Sequence, residues 1–283
     1  MIEITNGSHV YKVGERAGET GKYRLYLCRD ETGRQCLLQI TTAIEHNGGL
    51  QRAAYVLREL KSRADELEAE YTHVKTDPKV LLNYELGFPE LVDSFIDQAQ
   101  GGRQINILAF RNVDDVSRMV PLTNITEKDR LRVDLRTSGW IMGKLLKILV
   151  FASSEGFSID STGNNILIEP EQHYVLIFDW TAAQIHSKAI PAEMRRQQIS
   201  HLAQAVIAVL GGDLETGTFP DDGEEASDRY TGYLLQLACG GESNAERAHV
   251  KFYEVIDSLW PRKFYPFTTK PLEQNRMNKE KEE

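Results

Sequence analysis

The chain has 283 residues, enough for one large domain or two lobes with sizeable cores. Its net charge of −9 argues against a broad nucleic-acid surface. No apolar run is long enough to span a bilayer, and Met1-Ile2-Glu3 opens no signal-peptide pattern. Cys28, Cys36 and Cys239 lack metal spacing, and the seven histidines form no zinc pattern. The expectation is a cytoplasmic protein without a membrane or nucleic-acid partner.

In chain order, Gly14-Glu15-Arg16-Ala17-Gly18-Glu19-Thr20-Gly21 reads as a glycine-containing turn. Tyr23 to Arg29 alternates as a strand, Asp30-Glu31-Thr32-Gly33 turns, and Gln35 to Thr41 is a second strand. From Leu50 to Val74 the apolar positions Leu57, Leu60, Ala64, Leu67, Tyr71 and Val74 recur at helical spacing. Gly48-Gly49 stands before this helix and Asp77-Pro78 after it. Phe88 to Phe95 and Ile105 to Phe110 read as two further strands around a turn at Gln100-Gly101-Gly102-Arg103.

Thr126-Glu127-Lys128-Asp129 has the form of a capping box opening a helical region. Ile141, Leu145, Ile148 and Ala152 mark a buried helix that stops at Gly156. Later helices fit Ala192 to Leu210, Ser227 to Ala238 and Glu246 to Trp260. The tail from Lys270 to Glu283 is polar and charged, and disorder is expected for it. Strands first and helices after argue for an α+β chain.

The segment Gly156 to Ala183 carries the chemistry. Asp160 is followed by four residues and then Asn165. Ile166-Leu167-Ile168, a turn at Glu169-Pro170-Glu171-Gln172, and the apolar run Tyr174 to Phe178 follow, and the run ends in Asp179. This is a hairpin with an acid–amide pair at its entrance and an acid at its exit. A hairpin joins its ends, so Asn165 and Asp179 can share one hard cation through oxygen ligands. Single Asp and Asn residues in loops are commonly turn formers. Here the spacing, the flanking strands and the preceding helix agree.

This order resembles the catalytic core of the protein-kinase-like superfamily, with its H-R-D-x-x-x-x-N and D-F-G motifs. The first reads Ser158-Ile159-Asp160-Ser161-Thr162-Gly163-Asn164-Asn165, and the second reads Asp179-Trp180-Thr181. Ile177-Phe178-Asp179-Trp180 is more similar to the metal loop of aminoglycoside- and choline-kinase-type enzymes.

The resemblance implies a two-lobed protein-kinase-like fold. Its small lobe, over 1–113, would be a five-stranded antiparallel sheet with one long helix. A mainly helical large lobe would span 114–269, and a charged tail 270–283. It implies ATP and Mg²⁺ as cofactors. Asp160 would orient the acceptor hydroxyl, and Asn165 and Asp179 would hold metal. Gly18, Gly21, Lys22 and Gln39 would meet the nucleotide phosphates, and Phe110 and Arg111 would form the adenine-binding hinge. Glu70, or Glu68, would be the acid of the long helix.

The chain departs from the family at three positions. Leu37-Leu38-Gln39-Ile40 stands where the family has V-A-I-K, and Ser158 and Ile159 replace His and Arg. Gln39 donates hydrogen bonds but carries no charge. Losing a charge-assisted phosphate contact costs about 1.5–3 kcal/mol. Lys22 is the nearby candidate for rescue, as in with-no-lysine kinases. The segment after Asp179 is short, Pro191-Ala192-Glu193 is a loose echo of A-P-E, and Ile159 removes the arginine that reads an activation-loop phosphate. Three functions follow from the resemblance: phosphoryl transfer from ATP to a hydroxyl acceptor, a pseudokinase that regulates or scaffolds a protein partner, and a kinase-fold nucleotidyl transferase.

Overall fold

The structure is a computed structural model and describes residues 2–78, 80–171, 173–221 and 227–272. In chain order the strands and helices begin with β1 (Ile2–Asn6), β2 (His9–Glu19), β3 (Tyr23–Arg29), β4 (Gln35–Thr41), α1 (Asn47–Val74), β5 (Glu90–Asp97) and β6 (Arg103–Ala109). Next come β7 (Val120–Pro121), α2 (Asn124–Glu127), β8 (Leu131–Val133), α3 (Leu135–Ser154), β9 (Phe157–Ser158), β10 (Ile166–Glu169), β11 (Tyr174–Ile177) and β12 (Gln184–Ile185). The chain continues through α4 (Ala192–Val209), α5 (Ser227–Ala238), α6 (Ala245–Leu259) and β13 (Thr269–Pro271). It is a mixed chain of antiparallel sheet and several helices. Among the described residues no helix is long and apolar enough to cross a membrane.

Two compact units emerge. The first takes residues 1–120, 147–160 and 165–190; the second takes 121–146, 161–164 and 191–283. Compactness thus divides the chain differently from the boundary expected at 113/114, because the Asp160 and Asp179 segments belong with the first strands.

The first unit is built on a six-stranded antiparallel sheet in the order β1-β2-β3-β4-β6-β5. The expectation of five strands missed β1, which pairs with β2 from Ile2↔Val13 to Asn6↔His9. The sheet curls until its first and last strands meet: Asn6 Nδ2 and Tyr11 Oη both donate to Asp93 on β5, at 3.0–3.1 Å. Ile4, Tyr11, Val13, Cys28, Cys36, Leu38, Ile40, Ile105 and Ile107 fill the interior.

The expected glycine turn is corrected. Gly14 and Gly18 lie inside β2, with register shifts against β3 between Val13 and Gly18. A Cβ at Gly14 would stand 3.2 Å from Leu27 O, so the glycine serves a close strand approach. The turn proper is Thr20-Gly21-Lys22, closed by Thr20 N–H to Tyr23 O at 2.8 Å.

Helix α1 starts at Asn47, so Gly48 and Gly49 fall inside its first turn. Its buried residues are Leu50, Ala53, Ala54, Val56, Leu57, Leu60 and Ala64, all in its first two-thirds. The expected seam stops there. Leu67 and Tyr71 are half-buried and Val74 is exposed, because the last turns run past the sheet that the helix packs on.

In the second unit α2 is a single turn, so the predicted capping box does not open a long helix. The cap of α3 is Asp134, whose carboxylate accepts Thr137 N–H at 2.7 Å. The core is aromatic: Tyr230 stacks edge-on against Phe252 and Trp260, and its hydroxyl meets Ser138 Oγ at 3.0 Å. Strand β13 pairs Lys270 with Arg132 and Pro271 with Leu131, so the expected tail begins with ordered chain. The rest of that tail, 273–283, and Gln172 of the predicted hairpin turn lie outside the described residues.

Candidate functional site

The expected hairpin forms in the first unit. β10 pairs with β11 from Ile166↔Ile177 to Glu169↔Tyr174, and Phe178 N–H donates to Asn165 O at 2.9 Å. That register brings Asn165 and Asp179 together. Asn165 is buried, and its amide makes three bonds: Nδ2 donates to Asp160 O at 2.7 Å and to Asp179 O at 2.9 Å, and Oδ1 accepts Asp179 N–H at 2.5 Å. The three residues of the predicted motif are therefore neighbours, joined through one side-chain amide. The carboxylate of Asp160 is exposed.

The chain that delivers Asp160 turns at Gly156, whose φ is +78°. A Cβ there would stand 2.9 Å from His186 O, while His186 N–H donates to Gly156 O at 2.9 Å. Only glycine fits that approach. The same pairing of β9 with β12 sets His186 Nε2 at 3.0 Å from Ser158 Oγ. Ser158 occupies the place of the motif's histidine, and an imidazole from 28 residues further on faces it.

Asp179 is held from several sides. Trp180 is fully buried, donates Nε1–H to Ile177 O at 3.0 Å, and meets the Phe88 ring edge-on at 6.3 Å. Asp179 Oδ1 accepts Thr181 N–H at 2.8 Å. Its other oxygen, Oδ2, accepts the Tyr23 hydroxyl at 2.8 Å, across 156 positions of sequence. Burial, and then the Asp179 charge and hydrogen bond, push the Tyr23 phenol far above its ordinary value, so it stays a neutral donor.

Gln39 completes the arrangement. It is buried on β4, on the same face as Tyr23 and diagonal to it in the β3–β4 register. The groups on this face beside Asp179 are thus neutral: the Tyr23 hydroxyl, bonded to it, and the Gln39 amide. Tyr23 was absent from the sequence-derived site. No local signal marks it, because it reads as an ordinary strand residue.

The remaining expected residues are placed as follows. Lys22 is exposed at the β2–β3 turn beside Gly21, and Gly18 lies in β2. Phe110 is buried with its ring 6.3 Å from that of Phe178, and Arg111 pairs with Glu85 at 3.3 Å. Glu70 is exposed and does not join the site. The end of α1 that reaches the Asp179 loop is its start, where Arg52 Nη1 donates to Thr181 O at 3.0 Å. At 1.5 Å per residue, Glu70 lies about 27 Å further along the axis. Glu68 is also spent elsewhere, accepting Leu82 N–H at 2.7 Å.

A nucleotide-bound Mg²⁺ needs several free oxygen ligands and a cationic counterweight on the phosphates. In this arrangement both Asp179 oxygens and the Asn165 oxygen already accept hydrogen bonds, and Gln39 supplies no charge. Among the described residues no group of three His, Cys, Asp or Glu side chains could hold a metal. Each bonded oxygen keeps a second lone pair, so Asn165 and Asp179 can still offer oxygens to a cation; what the set lacks is the positive charge for the phosphates.

No family model matches the chain, and no curated protein matches it. Among solved structures it is similar to a double mutant of the Mycobacterium tuberculosis PknI kinase domain. The identity is 15% over 86% of this chain and 96% of that one, with a TM-score of 0.48.

Proposed function

We propose that this chain has a two-lobed protein-kinase-like fold that works as a pseudokinase, a regulatory or scaffolding module rather than a phosphotransferase. The observation that carries this reading is the Tyr23 hydroxyl bonded to Asp179, with the neutral Gln39 amide on the same face. Phosphoryl transfer depends on positive charge aimed where negative charge develops. Here the corresponding carboxylate is satisfied by a phenol and a backbone N–H, and the strand position that should carry the cation is an amide. The hairpin keeps its shape because Asn165 and Trp180 hold it, and that needs no nucleotide.

A second reading, an ATP- and Mg²⁺-dependent phosphotransferase, is favoured by one observation. The exposed Asp160 keeps its spacing to Asn165, pinned by the Nδ2 bond to its carbonyl. It requires Tyr23 to leave Asp179.

Calorimetric titration of ATP with and without Mg²⁺ separates the two. The pseudokinase reading expects no binding at millimolar ATP in the wild type, and metal-dependent binding once Tyr23→Phe and Gln39→Lys are combined. Micromolar, metal-dependent binding by the wild type, lost in Asp179→Ala, would overturn it in favour of the phosphotransferase.

A further inference from the structure

The sheet of the first unit carries a pair of groups that the Asp179 site does not use. Cys28 on β3 and Cys36 on β4 stand directly opposite each other in the antiparallel register. Opposed residues in such a pair have Cα atoms about 4.5–5.5 Å apart, inside the span of about 4.4–6.8 Å that a disulfide requires. Both side chains lie on the interior face of the curled sheet, buried in one apolar cluster.

The Cys36 thiol donates to Arg34 O at 3.8 Å. With the two side chains opposed in register, either sulfur can attack and the other resolve. Both cysteines are buried, Cys28 at 3% exposure and Cys36 at 0%, and they line a cavity of about 410 Å³ together with Lys12, Arg29 and Gln35, large enough for a small oxidant.

We propose that Cys28 and Cys36 are a redox modification site, forming a reversible disulfide when the chain meets a peroxide. One cysteine thiolate attacks one peroxide oxygen. The O–O bond breaks, and the departing hydroxide takes a proton to become water, leaving a sulfenic acid on that cysteine. The other thiol gives up its proton and its sulfur attacks the sulfenic sulfur. The S–O bond breaks and a second water leaves. In sum two thiols lose two electrons and two protons, and one peroxide is reduced to two waters. The bridge staples the strands that carry Tyr23 and Gln39. It stands on the cysteine pair alone and is independent of the function read at Asp179.

The test is intact mass spectrometry of the full chain carrying Cys239→Ser, which removes the exposed thiol, after treatment with hydrogen peroxide. The expected result is a loss of about 2 Da, reversed by dithiothreitol, with the Cys28 and Cys36 peptides linked in a non-reduced digest. Cys28→Ser and Cys36→Ser should each abolish that loss, and dimedone should trap a sulfenic acid on the cysteine that remains in at least one of them. Gains of about 16 or 32 Da without the 2 Da loss, or two thiols still open to alkylation after denaturation, would overturn the proposal. The chain without cysteine changes in the sheet decides the matter even where Cys28→Ser folds poorly.

Discussion

Two hairpins of the first unit meet at Asp179, and they are built on different terms. The β10–β11 hairpin holds its acid–amide–acid set with short-range bonds: Asn165 to Asp160 and Asp179, and Trp180 to Ile177. Its partners lie within 15 residues of one another, and a buried indole anchors them. The β3–β4 hairpin contributes Tyr23, which reaches Asp179 only because the sheet folds over that loop, and Gln39 diagonal to it. The first hairpin is a scaffold whose geometry is costly to disturb. The second adds only neutral groups to that face, a phenol and an amide. Keeping a motif's shape and keeping its electrostatics are therefore separable.

That contrast predicts large stability losses on the β10–β11 side and small ones on the β3–β4 side. Trp180→Ala should cost most, about 4 kcal/mol in urea unfolding, because it empties a buried aromatic site. A loss under about 1 kcal/mol would show that the indole is not the anchor. Asn165→Ala should cost about 3 kcal/mol, since it leaves the Asp179 N–H and two carbonyls without their partner. An Asn165→Asp variant as stable as the wild type would show that the amide donors contribute little.

Tyr23→Phe should cost only about 1 kcal/mol at neutral pH, the worth of one hydroxyl bond. The difference should shrink at high pH. The folded phenol's pKa is raised above its unfolded value of about 10. Its contribution is therefore complete below pH 10, and it is lost as pH rises because the unfolded chain then binds fewer protons. The wild type should fall relative to Tyr23→Phe by up to about 1.4 kcal/mol per pH unit above pH 10. Parallel stability curves over that range would contradict the shift. Smallest of all, Lys22→Ala should leave the urea midpoint unchanged, as its side chain is exposed at a turn. A clear drop would reveal a role for Lys22 that its position does not suggest.

Much of the scaffold was legible because its signals are local. Alternation gave β3 and β4 at their observed bounds, and helical spacing gave α4 and α5 to within a residue. The apolar runs around Glu169-Pro170 gave the β10–β11 hairpin, and with it the meeting of Asn165 and Asp179. Periodicity was less informative for α1. It marks which face of a helix is apolar but not how far along its length a sheet will cover that face, so Glu70 was drawn to a site that only the start of the helix reaches. Glycine spacing misled for a similar reason, since Gly14 answers to the carbonyl of Leu27 on the next strand.

The sequence by itself determined the order of strands and helices, the Asp160–Asn165–Asp179 hairpin, and the lack of a lysine at Gln39. These follow from neighbours a few residues apart, where side-chain period and turn chemistry act. Only the tertiary structure decided that Tyr23 would donate to Asp179 across 156 positions and that His186 would face Ser158. It also turned the amide of Asn165 to backbone groups. Partners of a buried polar group are set by whichever donors the packed sheet and loops bring within about 3 Å, and no local pattern encodes that distance.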